Sequence, residues 1–102
     1  FSTLALGGAG AIAASAHVHP QHWVALVAAL RKGDVASARG LWQPLAPMVE
    51  TLFSEPNPAP VKALLAHQCR VANELRPPMT PMSLAGQERL LALAAQTADT
   101  IG

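Results

Sequence analysis

Three prolines, Pro56, Pro58 and Pro60, alternate with other residues in the stretch Leu52-Phe53-Ser54-Glu55-Pro56-Asn57-Pro58-Ala59-Pro60-Val61-Lys62. An apolar helical pattern runs directly up to this stretch and another follows it. Proline locks its own φ and drives the preceding residue away from the α region. Glu55, Asn57 and Ala59 are therefore expected to be extended. The chain must leave one helix and enter the next through a stiff connector of defined path, which is not how flexible linkers are built.

The patterns around this connector are helical. Trp23, Leu26, Val27 and Leu30 share one face of a helix over residues 21–32, with Pro20 suited to its first position. Arg31 and Lys32 suit the negative end of that helix, and Gly33 can take the left-handed cap. Asp34 is a good N-cap for the next helix, which presents Val35, Ala38, Leu41, Trp42, Leu45, Met48, Val49, Leu52 and Phe53 and should be kinked at Pro44 and Pro47. After the connector, Val61, Leu64 and Leu65 open a helix reaching about Cys69. Arg76-Pro77-Pro78-Met79-Thr80-Pro81 is a second stiff loop. Ser83 is a candidate N-cap for a last helix in which Leu84, Leu90, Leu91 and Ala94 can pack inward.

The beginning of the chain is less helical. Residues 1–6 look like the end of a helix, closed by the turn Gly7-Gly8-Ala9-Gly10. Residues 11–15, Ala-Ile-Ala-Ala-Ser, form a short apolar run bounded by turn signals, which fits a buried strand although alanine is a poor strand former. One strand cannot satisfy its own backbone groups. Either this is a small all-helical domain, or the run needs strands from elsewhere and the chain is a piece of an α/β protein.

Bulk properties narrow the function. A chain of 102 residues holds one small core. It is 51% hydrophobic and 13% charged with a net charge of +1, too apolar for disorder and too neutral for a nucleic-acid surface. No run approaches the about 20 apolar residues of a membrane span. Residues 4–16 end like a secretory cleavage site but lack a basic leader. The chain opens on Phe1 in place of Met, as expected of a piece of a longer reading frame. Much apolar surface with little charge suggests that something else covers part of it. Cys69 is the only cysteine, so neither an intrachain disulfide framework nor a cysteine zinc site is possible.

Candidate chemistry is sparse. His17, His19 and His22 make an H-x-H-x-x-H cluster; alternating histidines can bind zinc, but the carboxylate partners are missing nearby, and a histidine-rich turn into a helix accounts for it. The glycine turn lacks the Lys-Ser/Thr ending of a phosphate loop and precedes the apolar run. Cys69 has no base in an interpretable relation and reads as a partly buried structural residue. Glu50 and Glu55 make no evident acid/base pair, and Trp23 and Trp42 read as core or interface.

Three stretches together resemble the C-terminal third of the dihydrodipicolinate synthase branch of the pyruvate-dependent class I aldolases, the family that also contains N-acetylneuraminate lyase. They are Leu6-Gly7-Gly8-Ala9-Gly10-Ala11-Ile12, residues 52–62 against the family's L-F-x-E-P-N-P-x-P-V-K, and residues 76–81 against its R-x-P-M-T-P. The resemblance implies an α/β fold, a (β/α)8 TIM barrel, of which this chain is a mostly α-helical C-terminal fragment with one barrel strand. Residues 1–33 would be the end of the barrel (tail of helix 7, strand 8, helix 8) and residues 34–102 the C-terminal helical extension.

The same resemblance implies a lyase that binds pyruvate as a Schiff base and condenses it with aspartate semialdehyde in lysine and diaminopimelate synthesis. It implies a cytoplasmic homotetramer without metal or organic cofactor, and no nucleic-acid or membrane partner. The Schiff-base lysine and proton-relay tyrosines would lie upstream of Phe1, and this chain has no tyrosine at all. No catalytic residue is assigned here, and Lys62 belongs to the connector motif. One substrate-binding position carries over: Ile12, matching the strand-eight residue that touches pyruvate largely through its main chain. Ala13, Ala14 and His17 depart from the family pattern, and residues 69–75 lack the glycine that usually ends the preceding helix. An independent helical interaction domain and a sibling aldolase with another aldehyde are the alternatives.

Overall fold

The computed structural model describes residues 1–101. Six α-helices follow one another among them: α1 (Ser2–Ala5), α2 (Pro20–Arg31), α3 (Val35–Trp42), α4 (Leu45–Leu52), α5 (Ala59–His67) and α6 (Leu84–Ile101). A 3₁₀ turn, Ala14–His17, precedes α2. No described helix is long and apolar enough to cross a membrane.

Most helix ends follow the local rules. Pro20 opens α2, and the Asp34 carboxylate accepts a hydrogen bond from Ser37 N at 3.1 Å at the start of α3. Gly33 has φ 76° and closes α2 in a Schellman motif, with Gly33 N donating to Leu30 O at 3.1 Å and Asp34 N to Ala29 O at 3.0 Å. Gly7, at φ 96°, does the same for α1.

The end of α5 repeats this motif with the wrong residue. Cys69 N donates to Ala66 O and Arg70 N to Leu65 O, both at 2.9 Å, and Cys69 itself sits at φ 57°. The left-handed region disfavours any residue with a Cβ. Cys69 is also exposed, not partly buried as its sequence context suggests. Cys69→Gly is expected to stabilise the chain by about 0.5–1 kcal/mol, the relief of strain offset in part by glycine's greater freedom when unfolded. Urea unfolding of the two proteins would measure it.

Four further sequence expectations need correction. The strand over residues 11–15 is not formed: residues 8–13 are coil, Ala13 is extended at φ −134°, ψ 113°, and residues 14–17 turn into the 3₁₀ segment. No neighbouring strand exists among the described residues, so an extended segment has nothing to pair with. Pro44 and Pro47 do not kink one helix; the helix stops at Trp42 and restarts at Leu45, with Pro44 as its N-cap residue. Pro47 then falls in the first turn of α4, where its missing N–H costs nothing. Ala59 is not extended but opens α5 with Pro60 beside it in that first turn. Leu84 is 79% exposed and does not pack inward.

Two apolar clusters hold the helices. In one, Met48 and Leu52 of α4 meet Val61 and Leu64 of α5, Leu90 of α6 and Met82 from the loop before α6, with Val18 from the turn before α2. In the other, Leu26 and Leu30 of α2 meet Ala38 of α3 and Leu45 of α4, with Phe1, Trp23, Trp42 and Ile101 packed around them. Trp23 and Trp42 meet edge to face with centroids 6.1 Å apart. Trp23 Nε1 donates to Val18 O at 3.0 Å, and His22 Nε2 lies 2.7 Å from Leu41 O, so α2 is pinned at two points.

Candidate functional site

Ile12 lies in the unpaired segment between the glycine turn and the 3₁₀ turn, with its side chain fully exposed at 107%. Beside it runs an apolar groove of about 830 Å³, whose walls include Phe1, Leu4, Ala13, Trp23, Val24 and Val27. One polar tie crosses toward the glycine turn, from the Arg31 guanidinium to Ala9 O at 3.5 Å. Ala13 is extended in backbone conformation, and no backbone hydrogen bond joins Ala11 or Ile12 to another described residue. An apolar wall and an unpaired stretch of backbone thus lie side by side.

The connector and the second proline loop, far apart in sequence, meet in space. Glu55 reaches across 28 positions: its Oε1 accepts from Ser83 N at 2.9 Å and its Oε2 from Ser83 Oγ at 2.7 Å. Ser83 Oγ in turn accepts from Gly86 N at 3.1 Å, capping α6 as its sequence position predicts. Lys62 Nζ donates to Glu74 O at 2.6 Å. The two charged residues of the connector therefore fasten the segment between α5 and α6 at its middle and at its end. Lys62 is engaged with backbone and is not a free amine aimed into a pocket.

The titrating side chains that depart from their ordinary values do so for these structural reasons. Hydrogen bonds from Ser83 hold the Glu55 carboxyl below its ordinary 4.5, and those from Ser37 hold Asp34 below 3.8. Their contribution to stability is present above those ordinary values and fades as pH falls through the lowered ones. Burial, aided by His22, holds the His19 imidazole below 6.5, so this group costs stability as pH falls below that value.

The histidine cluster is divided by the fold. His22 turns to Leu41 O, while His17 and His19 line a separate cavity with Gln68 and Arg70. No group of three potential metal-ligating side chains forms among the described residues. Local sequence could not reveal the Glu55–Ser83 contact, because nothing near either residue signals the other. The described residues bring together an apolar groove and a structural clamp, not a nucleophile with its base.

Residues 1–97 match the Dihydrodipicolinate synthetase family. A 4-hydroxy-tetrahydrodipicolinate synthase of Clostridium acetobutylicum is 42% identical over 91 residues, which is 88% of this chain and 32% of that protein. The solved dihydrodipicolinate synthase of Thermotoga maritima superposes with a TM-score of 0.91 at 34% identity, over 95% of this chain and 33% of that one. The 4-hydroxy-tetrahydrodipicolinate synthase of Methylacidiphilum fumariolicum SolV gives a TM-score of 0.91 at 32% identity, over 96% of this chain and 33% of that structure. The chain thus spans about a third of the length of the relatives it matches.

Proposed function

The chain belongs to the dihydrodipicolinate synthetase family, and on that premise we propose that it is the C-terminal portion of a (β/α)8-barrel lyase that condenses pyruvate with aspartate semialdehyde. The observation that carries this reading is the coil segment ahead of the 3₁₀ turn, with Ala11 and Ile12 unpaired and Ala13 extended, beside the apolar groove. In a barrel, that segment would be the eighth strand, paired with the first and seventh, and the groove would be filled by the preceding strand and helix units. Residues 1–33 would complete the barrel and residues 34–102 would form the helical extension, held in place by the Glu55–Ser83 and Lys62–Glu74 contacts.

Ile12 would then stand toward the face where barrel enzymes keep their sites, and its main chain would touch bound pyruvate. The Schiff-base lysine would be supplied by another part of the complete protein, a cytoplasmic homotetramer working in lysine and diaminopimelate synthesis without a metal or organic cofactor. Similarity to 4-hydroxy-tetrahydrodipicolinate synthases favours this reading over a sibling aldolase, and the family match favours it over an independent helical interaction domain.

The chain alone should not react. Incubation with pyruvate followed by borohydride should leave the mass of the 102-residue chain unchanged, and should trap one covalent adduct on a lysine outside it in the complete protein. An adduct on Lys32 or Lys62 would overturn the reading.

A further inference from the structure

The histidines left over from the clamp and the groove define a second, polar cavity of about 270 Å³, between the start of α2 and the end of α5. Its walls are His17, His19, Pro20, Gln21, Gln68 and Arg70, brought together from two stretches some fifty positions apart. Every wall residue except Pro20 has a side-chain N–H donor or can carry one, and none is a carboxylate. Arg70, held there by the left-handed turn at Cys69, contributes a permanent positive charge and a forked donor. His19 Nε2 is buried with no hydrogen-bond partner.

These features decide between the two ligands that a histidine cluster suggests. A metal ion needs several convergent imidazole or carboxylate donors, but His22 is turned away to Leu41 O and a guanidinium occupies the cavity wall. The same guanidinium, with amide and imidazole donors around it, suits an anion. We propose that this cavity binds a small oxyanion, a carboxylate or phosphate group, with Arg70 as the anchor and His17, His19, Gln21 and Gln68 as supporting donors. The site lies within this chain and does not rest on the barrel reading.

Nuclear magnetic resonance of the imidazole protons tests it. The protein, alone or within the longer polypeptide, is titrated at fixed pH and ionic strength with inorganic phosphate, with malonate, and with chloride as the control. Saturable shifts of the His17 and His19 signals with phosphate, malonate or both are expected, and which anion saturates identifies the group preferred. Because Arg70 is exposed, Arg70→Gln should leave the fold intact and weaken binding by about tenfold, with Arg70→Lys in between. His17→Gln both assigns the signal and should weaken binding less. Shifts that chloride reproduces, or an affinity unchanged in Arg70→Gln, would overturn the proposal.

Discussion

Leu52→Ala is expected to destabilise this chain by about 2–5 kcal/mol, the usual cost of emptying a fully buried leucine site. Leu52 has no exposure and sits where α4, α5 and α6 meet, touching the cluster that also holds Met48, Leu64 and Leu90. The loss combines the transfer free energy of the removed atoms with a cavity that three helices cannot collapse around. A lower urea midpoint with an unchanged slope would report it. Leu84→Ala, the same chemical change at a position 79% exposed, should stay within about 0.5 kcal/mol. Equal losses at the two positions would mean that the arrangement of α6 is wrong.

Gly86→Ala should run against helix propensity. Alanine for glycine inside a helix ordinarily stabilises by about 1 kcal/mol. Gly86 is buried in the first turn of α6, and a Cβ there would run into the Glu55 carboxylate and crowd Ser83 Oγ and Met82 Cε, each at 2.9 Å. The substitution is therefore expected to cost about 1–3 kcal/mol through overpacking and displacement of the clamp. A double-mutant cycle isolates the cause. With Glu55→Ala already present, the nearest obstruction is gone, leaving Ser83 Oγ and the flexible end of Met82, and Gly86→Ala should cost less than in the unaltered chain. If Gly86→Ala stabilises the unaltered chain, the clamp does not exist as described.

How far the sequence could be read depended on the range of each interaction. Asp34, Gly33, Pro20 and Ser83 announce helix ends because the bonds they make lie within a few residues of themselves. Heptad-like spacing likewise reveals Leu26, Leu30, Leu64 and Leu90 as core. Leu84 follows the same periodicity but sits at the very start of α6 and is left exposed, so periodicity overstates its burial. The segment at residues 11–15 has the composition of a weak strand, but a strand is a property of two segments, and the second is not among the described residues. Ile12 could accordingly be singled out by family resemblance alone; its own geometry, an exposed side chain on unpaired backbone, carries no catalytic signature. The roles of Glu55 and Lys62 were hidden for a related reason. Both act through partners beyond the connector, at Ser83 and Glu74, so the motif looks like a mark of kinship in sequence and a fastening in space.

Hydrogen exchange at Ala11, Ile12 and Ala13 tests most directly whether this chain is a barrel portion awaiting its partner strands. In the 102-residue chain alone these amides have no acceptor and should exchange within about tenfold of an unstructured peptide, while amides of α5 and α6 are protected. In the complete protein the same three residues should include amides slowed by about a thousandfold or more, as expected of a strand paired on both sides. Equal, fast exchange in both forms would contradict the account, since the extended segment would then be a surface loop and not the last strand of a barrel.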